Sequence, residues 1–172
     1  HSHNYLDEIV YLKKYYENNN NTDKAQKLQE TIDRLKKESE DTNIKIPEMF
    51  ATSERCHLYN SSMLSGSKQF LDCDLKKTNV SEISEAIILW TKTSTDITVE
   101  VDSTMASFLG NTDYLPFFVA FMAAATEYSL ENHIKEIDAT GLKLIKQRVD
   151  GFYRRNKAVL KKCREFEKWL KE

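Results

Sequence analysis

A serine and a lysine one helical turn apart are the first residues whose spacing could support catalysis. Residues 65–68 read Ser-Gly-Ser-Lys, matching the S-x-x-K pattern in which the lysine takes the proton of the serine hydroxyl. Penicillin-recognising enzymes with this pattern also need S-D-N and K-T-G elements. Here Lys92-Thr93-Ser94 matches only the first two residues of K-T-G, and the sequence contains no S-D-N. We therefore interpret the segment as a polar turn, and we predict that the protein is not an enzyme.

The histidines and cysteines do not show the spacing of a metal site. Cys56 and His57 are adjacent and Cys73 lies seventeen positions after Cys56, whereas zinc sites use motifs such as C-x-x-C or H-E-x-x-H. His1-Ser2-His3 could chelate Cu(II) or Ni(II) at a free amino terminus, but a tag remnant explains it more simply. We predict neither a metal nor a cofactor.

The cysteines and the N-glycosylation sequons bear on the cellular compartment of the protein. Cys56 and Cys73 flank the same polar segment and are the favoured disulfide pair, which would leave Cys163 free. Sequons at Asn20, Asn60 and Asn79 are candidate glycosylation sites. Together with a first residue that is His1 rather than Met, they favour a secreted or extracytoplasmic protein, with a cytoplasmic one as the alternative.

The positive charge is concentrated at the end of the chain. Residues 139–172 carry eleven Lys or Arg and four acids, a net charge of +7, whereas the other 138 residues carry −9. This asymmetry allows the basic segment to pack on an acidic surface of the same molecule or of another copy, so a homo-oligomer stays open.

The composition favours long helices over strands. The chain holds only four Gly and two Pro, too few for the frequent turns of a β-rich fold. The longest apolar run, residues 114–125, is too short to span a bilayer. We predict an all-α helical bundle without a membrane span.

The N-terminal region has the pattern of an antiparallel helical hairpin. Tyr5, Ile9, Leu12 and Tyr16 recur at helical spacing, and a second stripe follows the asparagine run 18–21. The second stripe is Ala25, Leu28, Ile32 and Leu35. We predict a hairpin arm over residues 1–43 and a bundle body over residues 44–172.

The patterns of two segments of the body predict their secondary structure. Residues 117–130 are the most apolar helical stretch and should form the central core helix. Residues 97–101 alternate apolar and polar side chains, which predicts a short extended piece or the start of a helix.

The C-terminal segment predicts one long basic helix over residues 140–172. Its apolar positions alternate spacings of three and four over four heptads, typical of a coiled-coil or bundle seam. Asn156 is the polar residue in this seam and could fix its register. The seam consists of Leu142, Ile145, Val149, Phe152, Asn156, Val159, Cys163, Phe166 and Leu170.

The function favoured by these features is non-enzymatic binding of another protein. Tyr11 and Tyr15 should be exposed on the first helix, where aromatic residues can anchor an interface. The basic helix supplies the other candidate contacts, which are Arg148, Arg154, Arg155, Lys161 and Lys162.

Two alternatives belong to other classes. A helical carrier of an apolar small molecule would use a cavity lined by Phe117, Phe118, Phe121, Met122 and Met105. A nucleic-acid-associated protein would use the basic helix, but the overall acidity, with a pI near 6.2, makes nucleic acid an unlikely partner.

Overall fold

A computed structural model of the protein describes the backbone of residues 5–40 and 45–172 and the side chains of residues 9–34 and 45–172. Within these ranges the chain forms ten helices and no strand, which confirms the all-α prediction. His1-Ser2-His3 and the predicted boundary at residues 43–44 lie outside the described residues, so the division into arm and body stays a prediction. The helices are α1 (Tyr5–Asn18), α2 (Thr22–Glu40), α3 (Ile46–Met49), α4 (Ser53–Leu58), α5 (Asn60–Asp72), α6 (Ser81–Thr93), α7 (Ser103–Ser107), α8 (Leu115–Asn132), α9 (Ala139–Asn156) and α10 (Arg164–Lys171).

Helix α8 is the central element of the core, as predicted. Pro116 lies in its first turn, where the missing N–H costs nothing, and twelve of its eighteen residues are buried. It packs against α5, α6 and α9, and the small side chains of Ala123, Ala124 and Ala125 allow these neighbours to approach closely. The helix ends where His133 adopts a left-handed conformation, with φ of 53°.

Helices α1 and α2 form the predicted N-terminal hairpin. Asn20 adopts a positive φ of 56° in the connecting loop, a conformation that asparagine tolerates. Ile9 and Ile32 are the buried pair between the helices, and Leu28 and Leu58 pack against them. Leu58 belongs to α4, so this small cluster also joins the hairpin to the body.

The single helix predicted over residues 140–172 is wrong. Helix α9 ends at Asn156, turns and irregular backbone follow through Cys163, and α10 begins at Arg164. The seam faces the core as far as Asn156, but Val159, the next seam residue, is exposed. A coiled coil through this region is therefore excluded, because the heptad phase is lost between the two helices.

Aromatic packing provides the physical reason for this break. No Gly or Pro lies between Asn156 and Arg164, so local propensity would allow the helix to continue. Instead α10 places Phe166 in a stack on Phe117, with ring centroids 4.3 Å apart, and buries Trp169. Burying two large rings is worth several kcal/mol, about 1.5–3 for a Phe-sized side chain, which exceeds the propensity lost in a short loop.

The short extended segment predicted near residue 97 is present as a single β-bridge. The Thr98 N–H donates to the Lys135 carbonyl at 2.8 Å, and Thr98 forms an isolated parallel bridge with Glu136. This bridge ties the segment after α6 to the segment before α9. Across residues 5–40 and 45–172, no helix has both the length and the apolar character needed to cross a membrane.

Candidate functional site

The outer face of α1 carries four large apolar side chains that are exposed to solvent. Tyr11 is 72% exposed and Tyr15 is 53% exposed, while Leu12 and Val10 are 43% and 42% exposed. Leu12 was predicted to lie on the stripe that packs in the hairpin, and its exposure shows that this expectation is wrong. We call the set of Tyr11, Leu12 and Tyr15 the α1 face.

Helical geometry places the α1 face beside the buried seam of the hairpin. Successive helical residues are rotated by about 100°, so Tyr11, Tyr15 and Leu12 occupy an arc of about 100°. Ile9 and the half-buried Tyr16 continue the arc toward α2. The apolar stripe of α1 is therefore wider than α2 covers, and its outer part stays exposed to solvent.

Local contacts hold the C-terminal end of this face in place. The rings of Tyr15 and Tyr16 meet edge to face with centroids 5.5 Å apart. Lys24 of α2 lies over the Tyr16 ring at 5.2 Å, a cation–π contact that fixes the inner ring. The Asn19 side chain donates to the Tyr15 carbonyl at 2.8 Å and satisfies the end of the helix.

Arg148 is engaged inside the molecule and does not belong to a free basic surface. Its Nε and Nη2 donate to both carboxylate oxygens of Glu127, at 2.9 and 3.2 Å, and its Nη1 donates to Asp72 at 2.7 Å. These hydrogen bonds raise the pKa of the Arg148 guanidinium and lower that of the Asp72 carboxyl. Its donors thus join α9 to α5 and α8, and a partner contact at Arg148 stays a prediction that these internal hydrogen bonds do not favour.

The other four basic candidates differ in their exposure and in whether they bond to other parts of the fold. Arg155 donates to the Leu71 carbonyl at 2.7 Å and so also braces α5. Arg154 is 78% exposed and pairs with Asp150 of its own helix at 2.9 Å, and Lys161 is close to Asp113 at 3.4 Å. Lys162 is exposed in the segment between α9 and α10. Arg154, Lys161 and Lys162 therefore remain available for contacts, whereas Arg155 is committed to the fold.

The predicted tyrosines and basic residues do not form one site. Tyr11 and Tyr15 lie on α1, which packs against α2 and α4. Arg154 lies on α9, which packs against α5, α8 and α10. It lines an open groove of about 800 Å³ between α9 and α10. The charged residues of that groove are Lys143, Lys146, Asp150, Arg154, Lys157, Glu167, Lys171 and Glu172.

The S-x-x-K pair is not arranged as nucleophile and base. Residues 65–68 are helical within α5, so the predicted polar turn is wrong. Ser65 is exposed, and the Lys68 ammonium pairs with the carboxylate of Glu131 on α8. Hydrogen bonding to Glu131 raises the pKa of Lys68, so the amine stays protonated and does not take a serine proton at neutral pH.

A second polar cluster, around Asp96, was not predicted. His57 Nδ1 and Asn60 Nδ2 both bond to Oδ2 of Asp96, the latter at 2.7 Å. The neighbouring Cys56 is completely buried, and burial, followed by the charge of Asp96, raises the pKa of its thiol to about 11. The thiol is therefore protonated at neutral pH and is a poor nucleophile. No local sequence pattern signals this cluster, because Asp96 lies 36 residues after Asn60.

The predicted disulfide between Cys56 and Cys73 is not formed, and all three cysteines are free. Cys56 faces the core before α5, and Cys73 caps the far end of that helix. Thirteen helical residues rise by about 20 Å, whereas disulfide geometry requires Cα atoms within about 7 Å. The intervening helix is the physical reason that the pairing was misjudged.

The three sequons have different accessibility. Asn20 and Asn79 are exposed. Asn60 is 4% exposed and its amide nitrogen is bonded to Asp96, so it cannot carry a glycan in this fold. The prediction of a glycosylation site at Asn60 is therefore wrong, and those at Asn20 and Asn79 stay predictions.

Most residues of the cavity lining predicted beside α8 are buried in the core. Phe117, Phe118, Met122 and Met105 are buried in the main core and pack against other side chains. Phe121 is also buried, and it reaches the wall of a cleft of about 260 Å³ beside Ile145. Burial of these residues in the core gives the predicted lining no support beyond Phe121, and the carrier function stays a prediction.

The described residues do not place three His, Cys, Asp or Glu side chains where they could hold a metal ion. No protein-family model matches the chain, and neither a curated protein nor a solved structure matches it. The function must therefore be inferred from surfaces and cavities.

Proposed function

We propose that this protein binds another protein through the α1 face and has no catalytic role. The observation that carries the proposal is the exposure of Tyr11, Leu12 and Tyr15 in one continuous arc of a helix. Tyrosines bury a large area with only two rotatable side-chain bonds, and they are enriched among the residues that dominate binding energy.

The shape of the surface favours a helix of the partner as its occupant. The α1 face continues the seam between α1 and α2, whose buried pair is Ile9 and Ile32. A third helix laid along this seam would cover the open part of the stripe by ordinary helix packing. Lys14 is exposed next to the α1 face, so a partner helix with apolar anchors flanked by acids fits best.

The nucleic-acid alternative has less support. Arg148 and Arg155 donate to groups within the fold, and acids share the groove in which Arg154 lies. A phosphate backbone would therefore meet a mixed surface rather than a continuous basic one.

An extracytoplasmic location belongs to the proposal as a further prediction. The exposed sequons at Asn20 and Asn79 support it, whereas the three free thiols give it no support. Mass analysis of protein from its natural source would decide, because glycans on these two asparagines require passage through a glycosylating compartment.

Photocrosslinking in the native cell tests the proposal. Benzoylphenylalanine at position 11 or 15 should give one discrete adduct with another protein, and the same group at the exposed Lys92 on α6 should not. The captured protein, once purified, should bind a Tyr11→Ser, Tyr15→Ser variant about a hundredfold more weakly than the wild type.

The stability of the double variant controls for misfolding. Its free energy of unfolding should stay within about 0.5 kcal/mol of the wild type, because both side chains are exposed. Equal labelling at positions 11 and 92, or an adduct formed only with a second copy of the chain, would overturn the proposal.

A further inference from the structure

An apolar cleft opens between α3, α5 and α6, and no described residue of α1 lines it. It has a volume of about 430 Å³, within the range of about 300–1,000 Å³ typical of small-molecule sites. Its apolar lining includes Phe50, Tyr59, Met63, Phe70, Ile83 and Ala86. We call this feature the α5–α6 cleft.

Contacts on two sides define the walls of this cleft. Phe50 and Tyr59 meet edge to face with ring centroids 5.5 Å apart, which makes one wall aromatic and rigid. Gly66 brings α5 and α6 together, because a Cβ at this position would lie 2.6 Å from Cδ1 of Ile83. The walls are therefore fixed by packing that does not depend on an occupant.

The charge of the lining limits the chemistry of an occupant. Among the described residues that line the cleft, Glu82 is the only charged one. The remaining polar lining consists of neutral groups such as Gln69, Thr78 and Asn79, which can donate or accept hydrogen bonds. A carboxylate or sulfonate would be repelled by Glu82 and would gain no cationic partner in exchange.

We propose that the α5–α6 cleft binds a small, uncharged, predominantly apolar molecule, in a role separate from the α1 face. Its volume suits such a molecule and is smaller than the space that two turns of a helix about 10 Å wide would occupy. Its aromatic and aliphatic lining provides the hydrophobic contacts, and its polar groups can orient one hydroxyl, amide or aryl amine of the ligand.

Two dyes that differ by one sulfonate test the charge preference. N-phenyl-1-naphthylamine is uncharged, and 8-anilinonaphthalene-1-sulfonate adds the anion. The uncharged dye should bind with a stoichiometry of one and at least about ten times more tightly. Glu82→Gln should tighten sulfonate binding by about threefold without changing the uncharged dye, and Glu85→Gln on the same helix should change neither.

Filling the cleft tests its location. Ser62 is an exposed residue of α5 that lines the cleft, so Ser62→Trp should weaken binding of the uncharged dye by about tenfold or more. Ser61→Trp places the same side chain on the neighbouring exposed residue, which does not line the cleft, and should leave the affinity unchanged. Circular dichroism of both variants checks that they fold.

Cys73 supplies a local readout that needs no substitution. It lines the cleft and is half-buried, whereas Cys56 and Cys163 are buried, so iodoacetamide should alkylate Cys73 first. Saturating uncharged dye should slow that alkylation several-fold in the wild type but not in Ser62→Trp. Unsaturable dye binding, equal affinity of Ser61→Trp and Ser62→Trp, or unprotected Cys73 would overturn the proposal.

Discussion

The carboxamide of Asn156 makes three hydrogen bonds at a site with almost no solvent access. Its oxygen accepts from the Leu75 N–H at 2.9 Å, and its nitrogen donates to the carbonyls of Cys73 and Phe152 at 3.2 and 3.1 Å. From its seam position, Asn156 was predicted to fix the register of a helical seam. Its actual role is to join the last residue of α9 to the chain segment that follows α5.

Replacing Asn156 by Leu should lower the free energy of unfolding by about 3 kcal/mol, because the half-buried Leu75 N–H and Cys73 carbonyl and the buried Phe152 carbonyl each lose a hydrogen-bond partner. Urea denaturation measures the change. Asn132→Ala is the matched control, since this exposed side chain also donates to a carbonyl of its own helix and its loss should cost at most about 0.5 kcal/mol. Equal costs for the two variants would show that burial of the carboxamide is unimportant.

Asp72 should make stability depend on pH in the acid range. The hydrogen bond from Arg148 holds its pKa below the ordinary value of 3.8, so the folded state binds its proton less readily than the unfolded state. This stabilisation is complete above the unfolded pKa and is lost as the pH falls through the folded one. Between about pH 5 and pH 2 the unfolding free energy of the wild type should therefore fall more steeply than that of Asp72→Asn.

Arg148→Met provides the check on this pH dependence, because it removes the donor while leaving the carboxyl in place. Its stability should lose the part of the acid dependence that Asp72 supplies. An Asp72→Asn variant with the same slope as the wild type would show that the hydrogen bond makes no contribution.

Among the helices, α10 depends most clearly on contacts with distant parts of the chain. Phe166→Ala should cost about 3–5 kcal/mol, because it removes a buried ring from the cluster around Phe117. Hydrogen exchange should then show faster exchange of the α10 amides than of the α8 amides. Leu170→Ala truncates a half-buried residue of the same helix and should cost less. Unchanged protection of α10 in Phe166→Ala would contradict this account.

Sequence patterns were sufficient for the helices whose apolar stripes agree with their final packing. The hairpin stripe and the apolar run of residues 117–130 correspond to α1, α2 and α8. The break after Asn156 could not be predicted, because no turn residue marks it and the aromatic contacts that favour it come from Phe108, Phe117 and Phe121. The exposure of Leu12 was also not predicted, because an apolar stripe does not show how many neighbouring helices cover its residues.

The hairpin and the body should differ in stability across the whole molecule. Ile9 and Ile32 form a cluster separate from the main core, so Ile32→Ala should accelerate amide exchange in α1 and α2 and leave α8 protected. Ile145→Ala, in the main core, should instead accelerate exchange in α8. Equal loss of α8 protection in both variants would contradict the predicted division into an arm and a body.

Ion pairs between helices neutralise part of the charge asymmetry of the chain. Arg148 joins α9 to acids of α5 and α8, and Lys68 of α5 pairs with Glu131 of α8. The predicted packing of basic residues on the acidic part of the chain is thus seen at Arg148, whereas Arg154 and Lys162 leave positive charge at the surface.

The two tryptophans occupy environments that give the protein two separate optical signals. Trp90 is fully buried and donates to the Cys56 carbonyl at 3.0 Å, whereas Trp169 lies on α10, donates to Asp102 at 3.1 Å and has Lys146 over its ring. Release of α10 would expose Trp169 to a quencher such as acrylamide while Trp90 stayed protected. Fluorescence quenching of Trp90→Phe and Trp169→Phe variants can therefore distinguish local opening at the C-terminal end from unfolding of the entire core.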